Sequence, residues 1–302
     1  MEGKSAMLYK SLVVGVIVLF IGIGIQPAFA DIINTKISTS PKIFDNIIFV
    51  DDDNTQGPWD GTKKHPYRKI KDGVNAANEG DTVFVCNGYY KEGWISVKKS
   101  MKVIGQNKYK TIVNGSGNDA VFLIGGLSNF VTIRGFTIIK CIPIPPFNIF
   151  SAGIYVKSDF NIISGNRFIG NDNGIWVFGW LNFISGNVFM DNDESGVDIT
   201  GDNNLNIVIG NHFENNEYGV IMKYGPLSNF FIRNNFINNT QNAYFFDAFF
   251  NNWIRNYWDD NINGPYRIEG KIIVGPFYNQ KIITAYEYDW FPRKQPLLRY
   301  RI

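Results

Sequence analysis

The stretch GNRFIGNDNGIWVFG, residues 165–179, places asparagines on both sides of a phenylalanine among residues otherwise typical of a protein core. The same arrangement recurs around four more aromatic residues, at spacings of 21, 24, 23 and 22 residues. The five central aromatics are Phe168, Phe189, Phe213, Phe236 and Trp258. Such regular recurrence indicates a fold built from stacked repeats.

Three columns of asparagine run through these repeats, seven residues before, two before and three after the central aromatic. They are Asn161, Asn182, Asn206, Asn229 and Asn251; Asn166, Asn187, Asn211, Asn234 and Asn256; and Asn171, Asn192, Asn216, Asn239 and Asn261. Side-chain amides can hydrogen-bond along a stack, and asparagine tolerates the left-handed backbone of a sharp corner. We therefore interpret these asparagines as structural ladders and not as ligands.

The repeat length and the strand pattern together predict the architecture. A period of 21 to 24 residues is shorter than helical-pair repeats of about 34 or propeller blades of about 40. Short alternating apolar runs, separated by Asn and Gly, are typical of strands joined by tight turns. The sequence thus predicts a parallel β-helix in which equivalent residues stack at about 4.8 Å.

The chain divides into four predicted segments. Residues 1–30 have two early lysines, an apolar run over 12–25 and an Ala-Phe-Ala end, which predicts a signal peptide. Residues 31–80 are expected to form an N-terminal segment and cap, with a short helix marked by Ile70, Val74 and Ala77. The β-helix is expected over 81–260, and a strand and loop over 261–302 form an irregular C-terminal cap. A proline-rich loop at 140–150 is expected to project between coils.

Composition excludes several functions. The net charge of +2 gives no reason to expect nucleic-acid binding. The two cysteines, Cys86 and Cys141, are predicted to be free thiols rather than a disulfide. With only two histidines, no clustered copper site is expected, and we predict neither a metal nor a cofactor. Calcium binding by residues 50–54 is the weaker interpretation beside solvated carboxylates.

The repeats resemble the right-handed parallel β-helix repeat proteins of the pectin lyase-like superfamily. The segment over 48–92 and the closing NYWDD at 256–260 are most similar to the periplasmic copper-binding NosD-type family, also described as carbohydrate-binding and sugar-hydrolase domains. The resemblance implies an all-β fold, a single-stranded right-handed parallel β-helix with an N-terminal helix cap. The predicted signal peptide separately indicates a secreted, periplasmic or cell-surface protein, whose only expected membrane contact is the signal itself if it is left uncleaved.

The strand after each repeat glycine supplies the candidate binding surface. We expect inward side chains at Ile154, Ile175, Val197, Val220 and Tyr244, and outward ones at Tyr155, Trp176, Asp198, Ile221 and Phe245. A second outward column comprises Lys157, Phe178, Thr200, Lys223 and Asp247. The candidate ligand-binding residues are Tyr155, Lys157, Trp176, Phe178, Asp198, Lys223 and Asp247. The competing interpretation is that Lys223 and Asp247 form an exposed ion pair and that the loop covers the aromatics.

Catalysis has weaker support than binding. Glycoside hydrolysis needs two carboxyls about 5 to 9.5 Å apart, whereas strand geometry places Asp198 and Asp247 about 11 to 12 Å apart. Lys223 could act as the base of a lyase, but no acidic triplet is expected on adjacent rungs near it. The predicted function is therefore non-catalytic binding of carbohydrate or another extracellular polymer. The alternatives are a polysaccharide lyase or glycoside hydrolase on the same face, a NosD-like accessory protein in copper-site maturation, and a purely structural surface protein.

Overall fold

A computed structural model describes residues 46–297, except for 127, 143–150, 203, 262 and 277–279. The predicted signal peptide and most of the proline-rich loop lie outside these residues. In the part of the chain that is described, no helix is long and apolar enough to span a membrane.

The described residues form a parallel β-solenoid of about eight turns with one short helix, which confirms the predicted fold class. The strands up to Trp258 are two to six residues long because a corner follows after every few residues, and only the last two are longer. The helix is α1, Ile70–Ala76, and the strands are β1 Ile47–Val50, β2 Thr82–Val85, β3 Gly88–Lys91, β4 Ile95–Val97, β5 Lys102–Gly105, β6 Thr111–Asn114, β7 Ala120–Ile124, β8 Thr132–Arg134, β9 Thr137–Ile139, β10 Ala152–Val156, β11 Ile162–Ser164, β12 Arg167–Ile169, β13 Asn173–Val177, β14 Phe183–Ser185, β15 Val188–Met190, β16 Ser195–Thr200, β17 Ile207–Ile209, β18 His212–Glu214, β19 Tyr218–Lys223, β20 Phe230–Ile232, β21 Asn235–Ile237, β22 Gln241–Phe246, β23 Asn252–Ile254, β24 Tyr257–Trp258, β25 Tyr266–Val274 and β26 Lys281–Asp289.

Every turn of the solenoid contributes to three parallel ladders. The first sheet contains β1, β2, β5, β8, β11, β14, β17, β20, β23 and β26. The second sheet contains β4, β7, β10, β13, β16, β19, β22 and β25, and the third contains β3, β6, β9, β12, β15, β18, β21 and β24. Antiparallel pairing of β25 with β26 joins the first and second sheets at the C-terminal end.

The central aromatics of the repeats form a single file inside the solenoid, as predicted. Successive rings from Phe168 to Phe236 are stacked 4.8 to 4.9 Å apart, with interplanar angles of 8° or less. Trp258 continues the file at 4.3 Å from Phe236. This file of rings explains why a glycine recurs in the repeats. A Cβ on Gly174 would lie 2.5 Å from the Phe189 ring, which is too close for a larger residue to fit.

The asparagines form hydrogen-bonded ladders with a common direction. In the first two columns, the backbone N–H and side-chain amide of each asparagine donate to the Oδ1 of the next one towards the C terminus, for example from Asn166 to Asn187 at 2.9 and 3.2 Å. The first column runs to Asn251 and the second to Asn256. The third runs from Asn171 to Asn239 only, because the side chain of Asn261 donates to the carbonyl of Gly264 instead. Membership of Asn261 in the ladder was therefore a wrong prediction.

The N-terminal end combines the expected helix with an unexpected strand. Helix α1 buries Ile70, Gly73 and Val74 and contacts β1, β2 and β4. It ends at Ala76, one residue before the last apolar residue of the predicted helical pattern, Ala77. Strand β1 pairs in parallel with β2, so the first sheet begins at Ile47, ahead of the helix.

The C-terminal end is more regular than predicted. The segments expected to form a strand and a loop are the nine-residue strands β25 and β26, paired antiparallel along their whole length. Glu287 and Asp289 of β26 accept the last hydrogen bonds of the first and second asparagine ladders. The ladders therefore end on carboxylates contributed by the final hairpin.

Candidate functional site on the outer face of the second sheet

The register of the second sheet confirms most of the predicted columns and corrects the last one. Trp176 pairs with Asp198, Asp198 with Ile221 and Thr200 with Lys223. In the next rung, however, Ala243 pairs with Val220 and Phe246 pairs with Lys223. A slip of one residue exchanges the two faces of a strand, so Tyr244 lies outward and Phe245 is buried in the core.

Asp247 therefore does not belong to the Lys223 column. Its backbone has a φ of 52°, and its carboxylate accepts a hydrogen bond from the backbone N–H of Ile273. The register is fixed by burial, because Ala243 and Phe245 are 5% and 1% exposed. The predicted Lys223–Asp247 ion pair is consequently wrong. The separation of Asp198 and Asp247 was also estimated from an offset of two residues, whereas the register gives three.

Tyr155, Trp176 and Phe178 form an aromatic cluster on adjacent rungs. Their ring centroids are 5.0 to 5.4 Å apart. Trp176 is only 6% exposed, whereas Tyr155 and Phe178 are half-buried. Burial raises the pKa of Tyr155, and the ammonium of the exposed Lys157 lies 4.6 Å from its ring centroid. Tyr155 and Phe178 thus present the accessible aromatic surface, with Trp176 packed against both.

A charged cluster continues from the aromatic cluster along the sheet. The Nζ of Lys223 lies 2.7 Å from Glu194 Oε1 and 3.0 Å from Asp198 Oδ2. Burial alone would lower the pKa of Lys223, but the two carboxylates hold it above its ordinary value. Asp198 is 2% exposed and also accepts a hydrogen bond from the Thr200 hydroxyl. Asp198 is therefore an anchor for Lys223, and Glu194 is the partner that reaches the surface.

Asp172 and Glu194 form a carboxylate pair that the sequence did not single out. The side-chain amide of Asn173 donates to both, at 3.3 Å to Asp172 and 3.2 Å to Glu194. The hydroxyl of Ser195 donates to Asn173 Oδ1 and orients the amide. Burial, followed by the negative charges of Glu194 and Asp193, raises the pKa of Asp172 to about 6. One carboxyl of the pair thus holds a proton at mildly acidic pH, where an ordinary aspartate is ionised, while the other is bound to Lys223.

Asp172, Glu194 and Glu217 stand on three successive rungs, immediately before the paired residues Asn173, Ser195 and Tyr218. The expectation that no acidic triplet stacks near Lys223 was therefore wrong. The alignment of these three acids was not visible in the sequence because the coil that contains Glu194 has one extra residue. Glu194 therefore lies five residues after its central aromatic, whereas the other two acids lie four residues after theirs. Beside this column, a shallow depression of about 390 Å³ is lined by Asp191, Asp193, Asn215, Glu217 and Thr240, among others.

With this geometry established, comparison with known proteins identifies the family. The family model described as periplasmic copper-binding protein (NosD) matches residues 74–280. The chain belongs to the NosD family. No curated protein matches the sequence.

Two solved structures with TM-scores just above 0.5 share the fold of this NosD-family chain. The catalytic domain of a GH87 α-1,3-glucanase in complex with nigerose has a TM-score of 0.52 at 12% identity, covering 74% of this chain and 41% of that one. A rhamnogalacturonan lyase has a TM-score of 0.51 at 13% identity and 85% coverage of both chains. ORF18 of Geobacillus virus E2 is 19% identical with a TM-score of 0.45, covering 62% of this chain and 49% of that one. The chain thus spans less than half of the length of two of these structures.

The copper implied by the family description does not fit the donor atoms of this NosD-family chain. Among the described residues, no three His, Cys, Asp or Glu side chains are placed to hold a metal ion. Burial raises the pKa of Cys86 to about 11 and that of Cys141 to about 12, which disfavours the thiolate that binds metal. The imidazole of His212 contacts Glu214 at 2.9 Å. Both cysteines are free, as predicted.

Proposed function

We propose that this NosD-family protein acts outside the cytoplasm and binds carbohydrate along the outer face of the second sheet. The observation that carries the proposal is the continuity of two surfaces on adjacent rungs: the partly exposed rings of Tyr155 and Phe178, and the polar cluster of Asp172, Glu194 and Lys223. Sugar rings have one apolar face and a periphery of hydroxyls, so they match an aromatic surface bordered by carboxylates.

The polar cluster supplies both kinds of hydrogen-bonding group. Glu194 accepts from hydroxyls, Lys223 donates to them, and the Tyr155 hydroxyl can do both. Glu194 and Lys223 are held in position before a ligand arrives. Asn173, itself bound by Ser195, donates to Glu194, and Asp198 accepts from Lys223. Such preorganisation reduces the entropy lost on binding.

Titration calorimetry with neutral oligosaccharides tests the proposal. Tyr155→Ala and Phe178→Ala are each expected to weaken binding about tenfold, because each removes one ring from the contact surface. Tyr109→Ala is the matched control, since Tyr109 is 52% exposed and lies beside Arg167 of the third sheet. Equal losses in all three variants, or no binding of any glycan by the folded wild type, would contradict the proposal.

Glycoside hydrolysis on the same face is the second candidate, and the Asp172–Glu194 pair favours it. The shared contact to Asn173 holds the two carboxylate oxygens no more than about 6.5 Å apart, which is compatible with the separation of about 5 to 5.5 Å in retaining glycosidases and too short for most inverting ones. Asp172, with a pKa of about 6, would protonate the leaving oxygen, and Glu194 would act as nucleophile or base. Reducing-end release that disappears in both Asp172→Asn and Glu194→Gln would support hydrolysis; release that persists in both would exclude this pair.

A further inference from the structure

Three arginines gather at the C-terminal end of the solenoid, away from the second sheet. Arg233 and Arg255 occupy equivalent corners after β20 and β23, and the N–H of Arg233 donates to the carbonyl of Ile254 at 3.0 Å. Arg293 extends the third sheet by one more rung, pairing with Tyr257 and donating its N–H to Asn256 at 2.7 Å. The backbone thus places Arg233 and Arg255 on adjacent rungs of one corner. Arg293 lies on the following rung, in the neighbouring column of the third sheet that contains Tyr257.

These arginines have no compensating anion in the part of the chain that is described. None of the three forms an ion pair there, and the Nη1 atom of Arg293 is buried without a hydrogen-bond partner. Asp289 is close to Arg255, but its carboxylate accepts from the backbone N–H groups of Arg255, Asn256 and Phe291. Burial and the neighbouring charges of Arg233 and Arg255 lower the pKa of Arg293.

An open cavity and an aromatic surface adjoin the cluster. Arg255, Arg293 and Lys294 line a cavity of about 810 Å³. A second cavity, of about 510 Å³, shares Arg255 and Phe291 with the first. Phe250, Phe291 and Trp290, which line the second cavity, are 81%, 79% and 62% exposed. A basic surface and an aromatic surface are therefore continuous.

We propose that this end of the solenoid is a second binding site, specific for acidic carbohydrate bearing carboxylate groups, formed by Arg233, Arg255 and Arg293 beside the exposed rings of Phe291 and Trp290. Guanidinium groups bind carboxylates through paired hydrogen bonds. Arginines on adjacent rungs, whose backbones are about 4.8 Å apart, offer several cations to a ligand with repeated carboxylates. The aromatic rings supply the stacking surface that a free anion such as phosphate does not use. The site is independent of the carbohydrate surface on the second sheet.

Calorimetry with the full chain tests the inference with three probes: an oligogalacturonate, its fully methyl-esterified form and inorganic phosphate. The oligogalacturonate is expected to bind, and its affinity is expected to fall as salt is added because the contact is ionic. Arg255→Gln and Arg293→Gln should each weaken binding about tenfold. Arg134→Gln, an exposed arginine on β8 of the first sheet, is the matched control and should leave affinity unchanged.

Every other outcome overturns the inference. Equal binding of the methyl ester would show that charge is not recognised, and binding of phosphate alone would show that the sugar is not. Affinity for oligogalacturonate that survives both arginine substitutions but is lost in Tyr155→Ala would place the acidic glycan on the second sheet. No binding of oligogalacturonate would remove the second site and leave the proposal for neutral glycans to its own test.

Discussion

The carboxylate of Asp289 accepts hydrogen bonds from both the backbone N–H of Asn256, at 2.8 Å, and its side-chain amide, at 3.1 Å. Both residues are fully buried. Because every asparagine of the ladder donates towards the C terminus, the last one has donors without an asparagine to receive them. A carboxylate accepts hydrogen bonds without donating any, so it can satisfy all of these N–H donors. Acidic groups are favoured at helix N termini for the same reason, because unpaired N–H groups point outwards there.

Replacing Asp289 with alanine should strongly destabilise the protein. The backbone N–H groups of Arg255 and Asn256 and the indole of Trp258 would lose their acceptor, and we expect a loss of more than about 3 kcal/mol in the free energy of unfolding. Asp289→Asn keeps an acceptor for Asn256 and should lose less. Urea denaturation measures both, with the exposed Asp53→Ala as control; an Asp289→Ala midpoint equal to that of the control would contradict the role of the carboxylate.

A break inside a ladder should be nearly as damaging. Asn187 accepts from Asn166 and donates to Asn211, and all three are buried. Asn187→Ala is expected to reduce the free energy of unfolding by about 2–4 kcal/mol, because buried donors are left without acceptors. Asn215→Gly removes an exposed asparagine whose φ of 57° glycine adopts readily, and it should change stability little. Similar unfolding curves for the two variants would argue against the ladder as a source of stability.

The charged cluster predicts strong coupling between Lys223 and Asp198. Lys223→Met leaves the carboxylate of Asp198, which is 2% exposed, without its cation and should destabilise the fold by about 3–5 kcal/mol. Adding Asp198→Asn removes the stranded charge and should restore most of that loss. A double-mutant cycle from thermal and urea unfolding measures the coupling. Strictly additive effects would mean that the two residues act independently.

Asp172 should make stability fall as the pH rises. Its folded pKa of about 6 exceeds the ordinary value of 3.8, so between those values the folded state holds a proton that the unfolded state releases. The contribution of Asp172 is therefore complete below about pH 4 and is lost as the pH passes 6. The free energy of unfolding is measured from about pH 4 to 7 for wild type and for Asp172→Asn, and the contributions of the other titrating groups cancel in the difference. The excess stability of wild type over the variant should decline across this window. A difference that stays constant, or rises, would show that Asp172 titrates normally.

The repeat made the core predictable from the sequence, but its outer face was harder to assign. The spacing of Phe168, Phe189, Phe213 and Phe236 identified a stacked interior file because identical large side chains recur at the position that burial constrains most. The outward positions do not repeat one residue type, and a coil that gains one residue hides the alignment of Asp172 with Glu194. The repeat pattern predicted an inward Tyr244, which put Asp247 in the Lys223 column. Burial of Phe245 instead shifts the register of this strand by one residue, so that Ala243 takes the inward position.

The C-terminal hairpin was hidden from the sequence for a different reason. Strands β25 and β26 follow no repeat, so neither the pairing of Glu287 with Asn251 nor that of Asp289 with Asn256 has a periodic signal. The arginine cluster also depends on Arg293, which joins Arg233 and Arg255 only through the path of the final segment. Such contacts between distant parts of the chain require the structure.

The most direct test of the carbohydrate-binding face is a glycan array probed with wild type, with the Tyr155→Ala/Phe178→Ala double variant and with Tyr109→Ala, after circular dichroism has shown that all three are folded. The account predicts that wild type and Tyr109→Ala bind the same neutral glycans and that the double variant loses them. Retention of those glycans by the double variant, or the absence of any neutral glycan bound by wild type, would contradict it.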